Sequence, residues 1–262
     1  MTPAGKATFY RIAAEELARE KARESIGLLA EKRLHSVLKR WVTDDFACHE
    51  VRIRGKDNTK RYAVADVCLP DGEIAEIQTG ALYPLCGKME FYFKETNRPV
   101  TLIHPVIAEK HVSWISPEDG SVSARRKSPK KETVLSAAGQ LKPFAAYFET
   151  GRFEVWLPVL RAEEYRLADG WGRGGKRGSH RFELIPTDLS EVVVLRGARD
   201  LIPFLPPNLP ARFTAKELAA LAKPLSGFAL YDLLALLCAG GVLFKAGKAG
   251  RSTVYEKELS RW

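Results

Sequence analysis

The sequence predicts an α/β protein that carries a separate helical module near its C-terminal end, and two patterns support this fold class. Between residues 15 and 115, helical and β-branched runs follow one another in the order helix, three strands, helix, strand. Roughly the last fifty residues read as helix, turn, helix and β-hairpin. We therefore expect an α/β domain at 1–124, a basic linker with a β-rich segment at 125–208 and a C-terminal module at 209–262.

The elements of the α/β domain follow from local patterns. The first helix is predicted at 15–41, where apolar side chains recur at the spacing of one helix face. These side chains are Ala30, Leu34, Val37, Leu38 and Trp41. A strand is predicted at 46–54, and a second long helix at 81–96. Apolar, β-branched runs at 99–108 and 112–115 complete the domain.

The middle segment is predicted to be mostly β-structure. Residues 133–148 have helical composition, although Gly139 and Pro143 interrupt the pattern. Long strands are predicted at 153–167 and 181–195. We expect a stiff, proline-rich connection after them, before the C-terminal module.

Composition and charge restrict the possible functions. The 262 residues carry a formal charge of +9, which favours an anionic partner such as nucleic acid. Four cysteines stand far apart, a spacing that supports neither a zinc module nor a disulfide framework. The N-terminus is charged, and the longest apolar stretch, 226–244, is interrupted by Tyr231 and Asp232. We therefore expect a cytoplasmic protein with no membrane span.

The most informative stretch of the sequence is a predicted β-hairpin. Runs at 62–69 and 73–78 are rich in valine and isoleucine, and Pro70-Asp71-Gly72 between them is strong turn chemistry. If the loop is centred on Asp71, paired positions lie at equal distances from it, and Asp66 faces Glu76. Two carboxylates separated by one cross-strand step repel each other unless a cation lies between them. This arrangement is typical of a hard divalent metal site.

These residues resemble a known nuclease superfamily. A helix with a glutamate, a strand with Asp66, a turn and then Glu76-Ile77-Gln78 are similar to the PD-(D/E)xK nucleases over about residues 20 to 115. The closest likeness is to the branch that has Glu-x-Gln in place of Glu-x-Lys, seen in CoiA-like proteins. The resemblance implies a restriction-endonuclease-like mixed sheet flanked by helices, together with Mg²⁺ (or Mn²⁺) held by Asp66 and Glu76. It also implies a third acid from the helix, which is Glu31 in this sequence.

Further positions have possible roles around this motif. Gln78 lies on the same face as Glu76 and occupies the position of the motif lysine, where a glutamine keeps hydrogen bonding but lacks the positive charge. Lys88, on the following helix, is the candidate to supply the missing charge. The carbonyl of Ile77 is a further possible ligand, and Glu50 is a lesser candidate for the third acid. The catalytic set is therefore Glu31, Asp66, Glu76, Gln78 and Lys88.

Each of these residues also has an ordinary structural interpretation. Asp66 and Glu76 are also compatible with incidental acids on a solvated hairpin face, and Gln78 with a polar strand residue, although the metal site is the favoured interpretation. Glu31 is placed to pair with Lys32 or His35 along the helix surface. The five histidines lack metal-ligand spacing, which predicts structural or surface roles for them.

A basic run is predicted either to bind phosphate or to be a solvated connector. It covers Arg125, Arg126, Lys127, Lys130 and Lys131. Arginine and lysine that neutralise phosphates supply most of the non-specific affinity for DNA. A second basic loop is a weaker candidate for the same role, with Arg173, Lys176, Arg177 and Arg181.

The C-terminal module has the element order of a winged helix-turn-helix. Thr214 and Glu217 form a capping box for its first helix. Its second helix, 226–238, carries Asp232 as its one charge, so it is poorly suited to base edges in a major groove. The hairpin that follows offers cations to a DNA backbone, at Lys245, Lys248 and Arg251. DNA binding and contact with a protein partner or a second copy therefore both remain open for this module.

Taken together, the sequence favours a metal-dependent DNA endonuclease with Mg²⁺ or Mn²⁺ at Asp66 and Glu76. Two alternatives come from other classes of function. The first is a catalytically weak or inactive nuclease-fold protein that binds DNA or regulates, which the glutamine at position 78 favours. The second is a protein-interaction module that acts through the winged helix.

Overall fold

The computed structural model describes residues 1–21, 33–56, 61–170 and 178–258. These residues form an α/β structure with mixed β-sheet flanked by helices, which confirms the predicted α/β class. The chain divides into two compact units, each built from three separate stretches, whereas the three predicted segments are consecutive. The first unit contains Met1–Ala47, Ile107–Lys131 and Pro158–Val192. The second contains Cys48–Val106, Glu132–Leu157 and Val193–Trp262.

The second unit is built on a mixed sheet. Its strands are β1 (His49–Arg54), β2 (Tyr62–Cys68), β3 (Ile74–Ile77), β4 (Val100–Ile103) and residues 153–157 of β7 (Phe153–Leu167). The spatial order is β1-β2-β3-β4-β7. Strand β2 is antiparallel to both of its neighbours, whereas β3, β4 and β7 are parallel to one another.

The predicted hairpin is present with the predicted register. Val67 pairs with Ala75 and Cys68 with Ile74, so the next step of the ladder brings Asp66 level with Glu76. The turn closes through a hydrogen bond from the Gly72 amide to the Leu69 carbonyl, 2.9 Å long. Gly72 has φ +92°, a conformation that glycine adopts without steric cost. The turn chemistry therefore fixes which residues face each other.

Helix α3 (Cys86–Glu95) connects β3 to the parallel strand β4 and follows a 3₁₀ turn at Tyr83–Leu85. Met89 and Tyr92, one turn apart, are buried against the unit. The helix predicted at 133–148 is divided into α4 (Val134–Ala138), a 3₁₀ helix (Gly139–Phe144) and α5 (Ala145–Phe148). This division accords with the interruption expected from a proline inside the segment.

The C-terminal part of the second unit has the predicted element order. It consists of β9 (Arg212–Thr214), α6 (Ala215–Leu221), α7 (Gly227–Ala239), β10 (Leu243–Ala249) and β11 (Ser252–Lys257), and the sheet order is β10-β11-β9. The capping box of Thr214 and Glu217 is present. Helix α7 packs closely on the 3₁₀ helix of the same unit: a Cβ added to Gly139 would lie 2.5 Å from the Ala229 carbonyl oxygen. The apolar second helix therefore packs against its own unit.

The first unit contains α1 (Lys6–Lys21), α2 (Arg33–Val42), β5 (Val106–Ile115), β6 (Arg126–Lys127), the rest of β7 and most of β8 (His180–Leu195). The predicted 99–108 run is divided, because β4 ends at Ile103 and β5 begins at Val106. Pro105 separates them and has no amide hydrogen for a ladder. Within the described residues, no helix is long and apolar enough to cross a membrane.

Candidate carboxylate and lysine site

Asp66 and Glu76 lie next to each other on neighbouring strands of the second unit. Glu76 is 1% exposed in the middle of β3. Asp66 is half-buried on β2, and its Oδ2 accepts a hydrogen bond of 2.8 Å from the backbone amide of Ile77. This bond fixes one carboxylate oxygen of Asp66 against the strand that carries Glu76.

Helix α3 adds two donors to Glu76. Lys88 Nζ donates to Glu76 Oε2 at 2.6 Å, and the Tyr92 hydroxyl donates to Glu76 Oε1 at 2.7 Å. Lys88 and Tyr92 are four residues apart and therefore share one helix face. The ammonium group of Lys88 remains partly open to solvent, because 26% of its side chain is exposed. Two carboxylates and one lysine thus meet where α3 covers the hairpin.

The electrostatics of the cluster are unbalanced. Burial and, to a smaller extent, the neighbouring charge of Asp66 raise the pKa of Glu76, and with the opposing effect of Lys88 included the pKa is about 7. Burial and the adjacent Glu76 carboxylate also raise the pKa of Tyr92, so its hydroxyl stays protonated and donates. A second positive charge near Asp66 and Glu76 would stabilise both ionised carboxylates.

Gln78 takes part in a different set of contacts. Its side-chain amide donates to the Ala81 carbonyl at 2.6 Å. Its backbone carbonyl lies 2.6 Å from Nδ1 of the buried His104, whose Nε2 is 3.3 Å from Nε2 of Gln140. Burial lowers the pKa of His104, so the neutral ring donates through Nδ1 and accepts at Nε2. These contacts hold the chain just after β3, and the Gln78 amide points to the loop.

The structure gives less support to the other predicted metal ligands. Glu50 is level with Asp66 on β1, since His49 pairs with Val67 and Val51 with Ala65, but its φ of +53° interrupts the strand geometry there. Glu31 lies outside the described residues. For Ile77, the structure records the amide bonded to Asp66, and its carbonyl as a metal ligand stays a prediction.

A metal site with three or more side-chain ligands is not evident. Within the described ranges, no group of three or more His, Cys, Asp or Glu residues is arranged to hold a metal ion. The hairpin does bring together two facing carboxylates, those of Asp66 and Glu76.

The predicted nucleic-acid contacts fall into two groups. In the first unit, Arg125 pairs with Glu163 at 3.1 Å and Lys127 with Glu109 at 2.5 Å. Strand β6 pairs with β5, so Arg126 and Lys127 belong to a sheet, whereas Lys130 and Lys131 lie beyond the strand. The other cations that were predicted to contact nucleic acid, in the basic run and in the C-terminal hairpin, are exposed. They are Arg126, Lys130, Lys131, Lys245, Lys248 and Arg251. Arg181 pairs with Glu164 at 3.5 Å. The predicted contacts at Arg173, Lys176 and Arg177 lie outside the described residues.

Sequence reasoning did not identify Tyr92 and His104 as parts of this site. The signal for Tyr92 was available, because it follows Lys88 by four residues on a predicted helix. His104 carried no such signal, since its role depends on the parallel pairing that places the end of β4 beside the end of β3. Parallel pairing joins strands that are distant in the sequence.

Fold and site together define a mixed α/β protein in which a hairpin and the following helix gather two acids, a lysine and a tyrosine. The chain belongs to the family described as a domain of unknown function, DUF8091, whose model matches residues 32–196. That range includes the whole carboxylate and lysine site and ends before the C-terminal module.

A relative extends this similarity over most of the chain. A protein of Treponema pallidum (strain Nichols), described as an uncharacterized protein, is 24% identical over 236 residues, which cover 89% of this chain and 88% of that protein. No solved structure matches the chain significantly. The similarity to this relative therefore extends over more of the chain than the family region does.

Proposed function

We propose that this protein is a metal-dependent nuclease that hydrolyses phosphodiester bonds in DNA, with Asp66 and Glu76 as ligands of Mg²⁺ or Mn²⁺. The observation that carries the proposal is the convergence of Lys88 with these two acids, since Lys88 Nζ lies 2.6 Å from Glu76 Oε2. Two acids and a lysine are the residue types of the PD-(D/E)xK motif. The strand order and the crossover through α3 support a restriction-endonuclease-like sheet.

The residues present fit a magnesium ion. Mg²⁺ prefers carboxylate oxygens and usually keeps several waters, so it does not require a cage of protein ligands. Asp66 and Glu76 supply oxygens on adjacent strands, and with both ionised they carry one negative charge more than Lys88 neutralises. The bound ion would lower the pKa of a water and offset negative charge on the phosphate.

In this proposal the protein's own residues position the reacting groups. Tyr92 holds one oxygen of Glu76, and the Ile77 amide holds one oxygen of Asp66, so both carboxylates are oriented before substrate binds. Lys88 supplies the charge that Gln78 lacks, close to where the attacking water meets the phosphorus. The water oxygen bonds to phosphorus and loses a proton as the bond from phosphorus to the leaving oxygen breaks, and the leaving oxygen gains a proton to depart as an alcohol.

One observation favours a second function, that of a nuclease-fold protein that binds DNA without cutting it. The ion pair between Lys88 and Glu76 gives the buried carboxylate a counter-charge without a metal. If Lys88 always provides this counter-charge, Asp66 and Glu76 would have a structural role and would bind no metal. The cleavage assay below separates the two functions.

The C-terminal module is proposed to be a winged helix. Its element order and the sheet order β10-β11-β9 support this assignment. The exposed cations of its hairpin suit contact with a DNA backbone. On α7, however, Phe228 is 91% and Tyr231 59% exposed, which favours a protein partner for the helix itself.

A cleavage assay tests the proposed function. Full-length protein is incubated with plasmid and single-stranded DNA plus Mg²⁺ or Mn²⁺, beside the double variant Asp66→Ala/Glu76→Ala. Glu73→Ala, an acid in the turn of the same hairpin, serves as the matched control. We expect metal-dependent cutting by the wild type and the control and none by the double variant. Cutting that persists in the double variant, or no cutting with either metal, would overturn the proposal, and DNA binding in EDTA would then support the non-cutting alternative.

A further inference from the structure

A shallow groove of about 510 Å³ lies between β2 and α3 in the second unit. Its described lining includes Arg61, Tyr62, Val64, Gly87, Lys88 and Phe91. The lining, which also includes Ala63, therefore consists of two aromatic residues, two cations, two small or apolar strand residues and a helix glycine. The hairpin itself is held together by the pairing of β2 with β3, whereas the groove lies between β2 and α3.

The groove leads to the carboxylate and lysine site. Because side chains alternate along a strand, Tyr62, Val64 and Asp66 lie on the same face of β2. Lys88 lines the groove and also donates to Glu76. A ligand in the groove that extends along β2 therefore passes from Tyr62 towards Asp66.

Tyr62 presents an aromatic surface to solvent within this groove. The guanidinium carbon of Arg52 lies 4.4 Å from the centroid of the Tyr62 ring. Tyr62 is nevertheless 52% exposed, and the neighbouring Val64 is 36% exposed. An exposed aromatic ring supported by arginine is a stacking platform of the kind on which nucleic-acid bases rest.

The charge of the groove suits phosphate. Arg61 and Lys88 are its cations, and the described lining residues include no acid. Glu90 lies within electrostatic range of Arg61, but its carboxylate is paired with Lys94 at 2.5 Å. The groove therefore offers the charge of Arg61 beside an aromatic surface, while Lys88, which is paired with Glu76, lies at the end that leads to the acids.

We propose that this groove binds an unpaired segment of single-stranded nucleic acid, with a base stacked on Tyr62 and the phosphates near Arg61 and Lys88. The inference rests on the proposed nuclease function and names the form of its substrate. Base pairs in a duplex stack on one another and hide their faces, so an exposed ring finds a partner in an unpaired base. A single free nucleotide is a poorer occupant, since an open groove buries little of a small ligand.

Binding in the absence of metal tests the proposal. Fluorescence anisotropy in EDTA compares labelled oligothymidine of twelve nucleotides, oligouridine of the same length and a blunt DNA hairpin, all with the full chain. We expect the single strands to bind more tightly than the hairpin, and the DNA and RNA arms decide which backbone is preferred. Tyr62→Leu should weaken single-strand binding about tenfold, whereas Tyr62→Phe should stay within about twofold of the wild type. Tyr10→Leu, which removes an exposed tyrosine of α1 that does not line the groove, is the matched control.

A second variant blocks the groove without removing a contact. A Cβ added to Gly87 would meet no atom within 4 Å, so a larger side chain fits there and projects into open space. Gly87→Leu should favour the helix while reducing single-strand binding by at least about tenfold. Thermal melting of each variant shows that the fold is retained.

The outcomes separate this inference from the proposed function. Equal single-strand binding by wild type, Tyr62→Leu and Gly87→Leu would overturn the groove assignment, as would stronger binding of the hairpin. A protein that binds single strands through Tyr62 but never cuts would retain the groove and overturn the nuclease. Metal-dependent cutting with unchanged binding in the variants would retain the nuclease and overturn the groove.

Discussion

Two glutamates among the described residues are buried, one in each compact unit, and their surroundings differ. Glu164 in the first unit is 0% exposed and Glu76 in the second is 1% exposed. Glu164 accepts from Lys110 at 2.5 Å and Arg166 at 2.5 Å, and Arg181 lies 3.5 Å away. Burial alone would raise the pKa of Glu164, but these cations outweigh it and lower the pKa.

Glu76 has a single cation and a second acid nearby. Lys88 pairs with it at 2.6 Å, while Asp66 faces it across the hairpin and Tyr92 donates a neutral hydrogen bond. Two glutamates with almost no exposed surface thus differ in their surroundings: Glu164 has an excess of positive charge around it, and Glu76 has a deficit. The comparison teaches that burial does not identify a functional acid. The incomplete set of counter-charges distinguishes Glu76 from Glu164 and is the reason why Glu76 is proposed as a functional acid.

The largest expected effect concerns the cluster of cations around Glu164. Glu164→Gln leaves the buried Lys110 without its carboxylate, so we expect the free energy of unfolding to fall by about 3–5 kcal/mol. Because the wild-type Glu164 is ionised, the loss should be similar at pH 6 and pH 8. Urea denaturation at both pH values measures it. A loss below about 1 kcal/mol would show that the cluster is not structural.

The next effect is the pH dependence that Glu76 imposes. Its pKa rises from 4.5 to about 7 on folding, so the native state holds the proton more tightly than the unfolded state. Its contribution is therefore fully present below about pH 4.5 and is lost as the pH rises through 7. The change amounts to about 3 kcal/mol. Glu76→Gln should remove this slope from the denaturation curves, and parallel curves for wild type and variant would contradict the prediction.

Lys88 provides a smaller test of the same imbalance. Lys88→Met removes the charge but keeps the length of the side chain, so we expect unfolding free energy at pH 8 to fall by about 2 kcal/mol. At pH 5, where Glu76 is protonated, the loss should be clearly smaller. Cleavage activity should fall about a hundredfold or more, whereas Lys88→Arg should retain part of it. An equal loss of stability at both pH values would assign Lys88 to packing alone.

The smallest expected effect concerns Glu50, an acid on β1 that lies opposite Asp66. Its φ of +53° is costly for a residue with a side chain. Glu50→Gly should therefore stabilise the protein by about 1 kcal/mol, while Glu50→Ala should not. Differential scanning calorimetry measures both variants. Destabilisation by Glu50→Gly would show that the glutamate side chain repays the backbone strain.

The local part of the site could be predicted from the sequence. The turn at Pro70-Asp71-Gly72 and the alternation of side chains in the flanking strands fix the pairing of Val67 with Ala75. This pairing places Asp66 opposite Glu76. The position of Lys88 on the helix that follows was also inferred from the order of elements. Each of these inferences depends on residues that are close in the chain.

The remaining features depend on long-range pairing, which local patterns do not encode. The side chain of Gln78 was expected to face the site. Instead, its side-chain amide donates to the Ala81 carbonyl, and its backbone carbonyl bonds to His104 at the end of β4. The three consecutive segments of the prediction contrast with two units whose stretches alternate along the chain. The long strand β7 contributes residues to both units, which composition and local charge do not reveal.

The central claim is that the unbalanced acids Asp66 and Glu76 are held for a divalent cation, and Mn²⁺ binding tests it most directly. Electron paramagnetic resonance of Mn²⁺ titrated into the full chain measures the free ion at pH 7.5. We predict saturable binding by the wild type and by the control Glu73→Gln, and its loss in Asp66→Asn and Glu76→Gln. Equal Mn²⁺ binding by all four proteins, or none by the wild type, would contradict the claim.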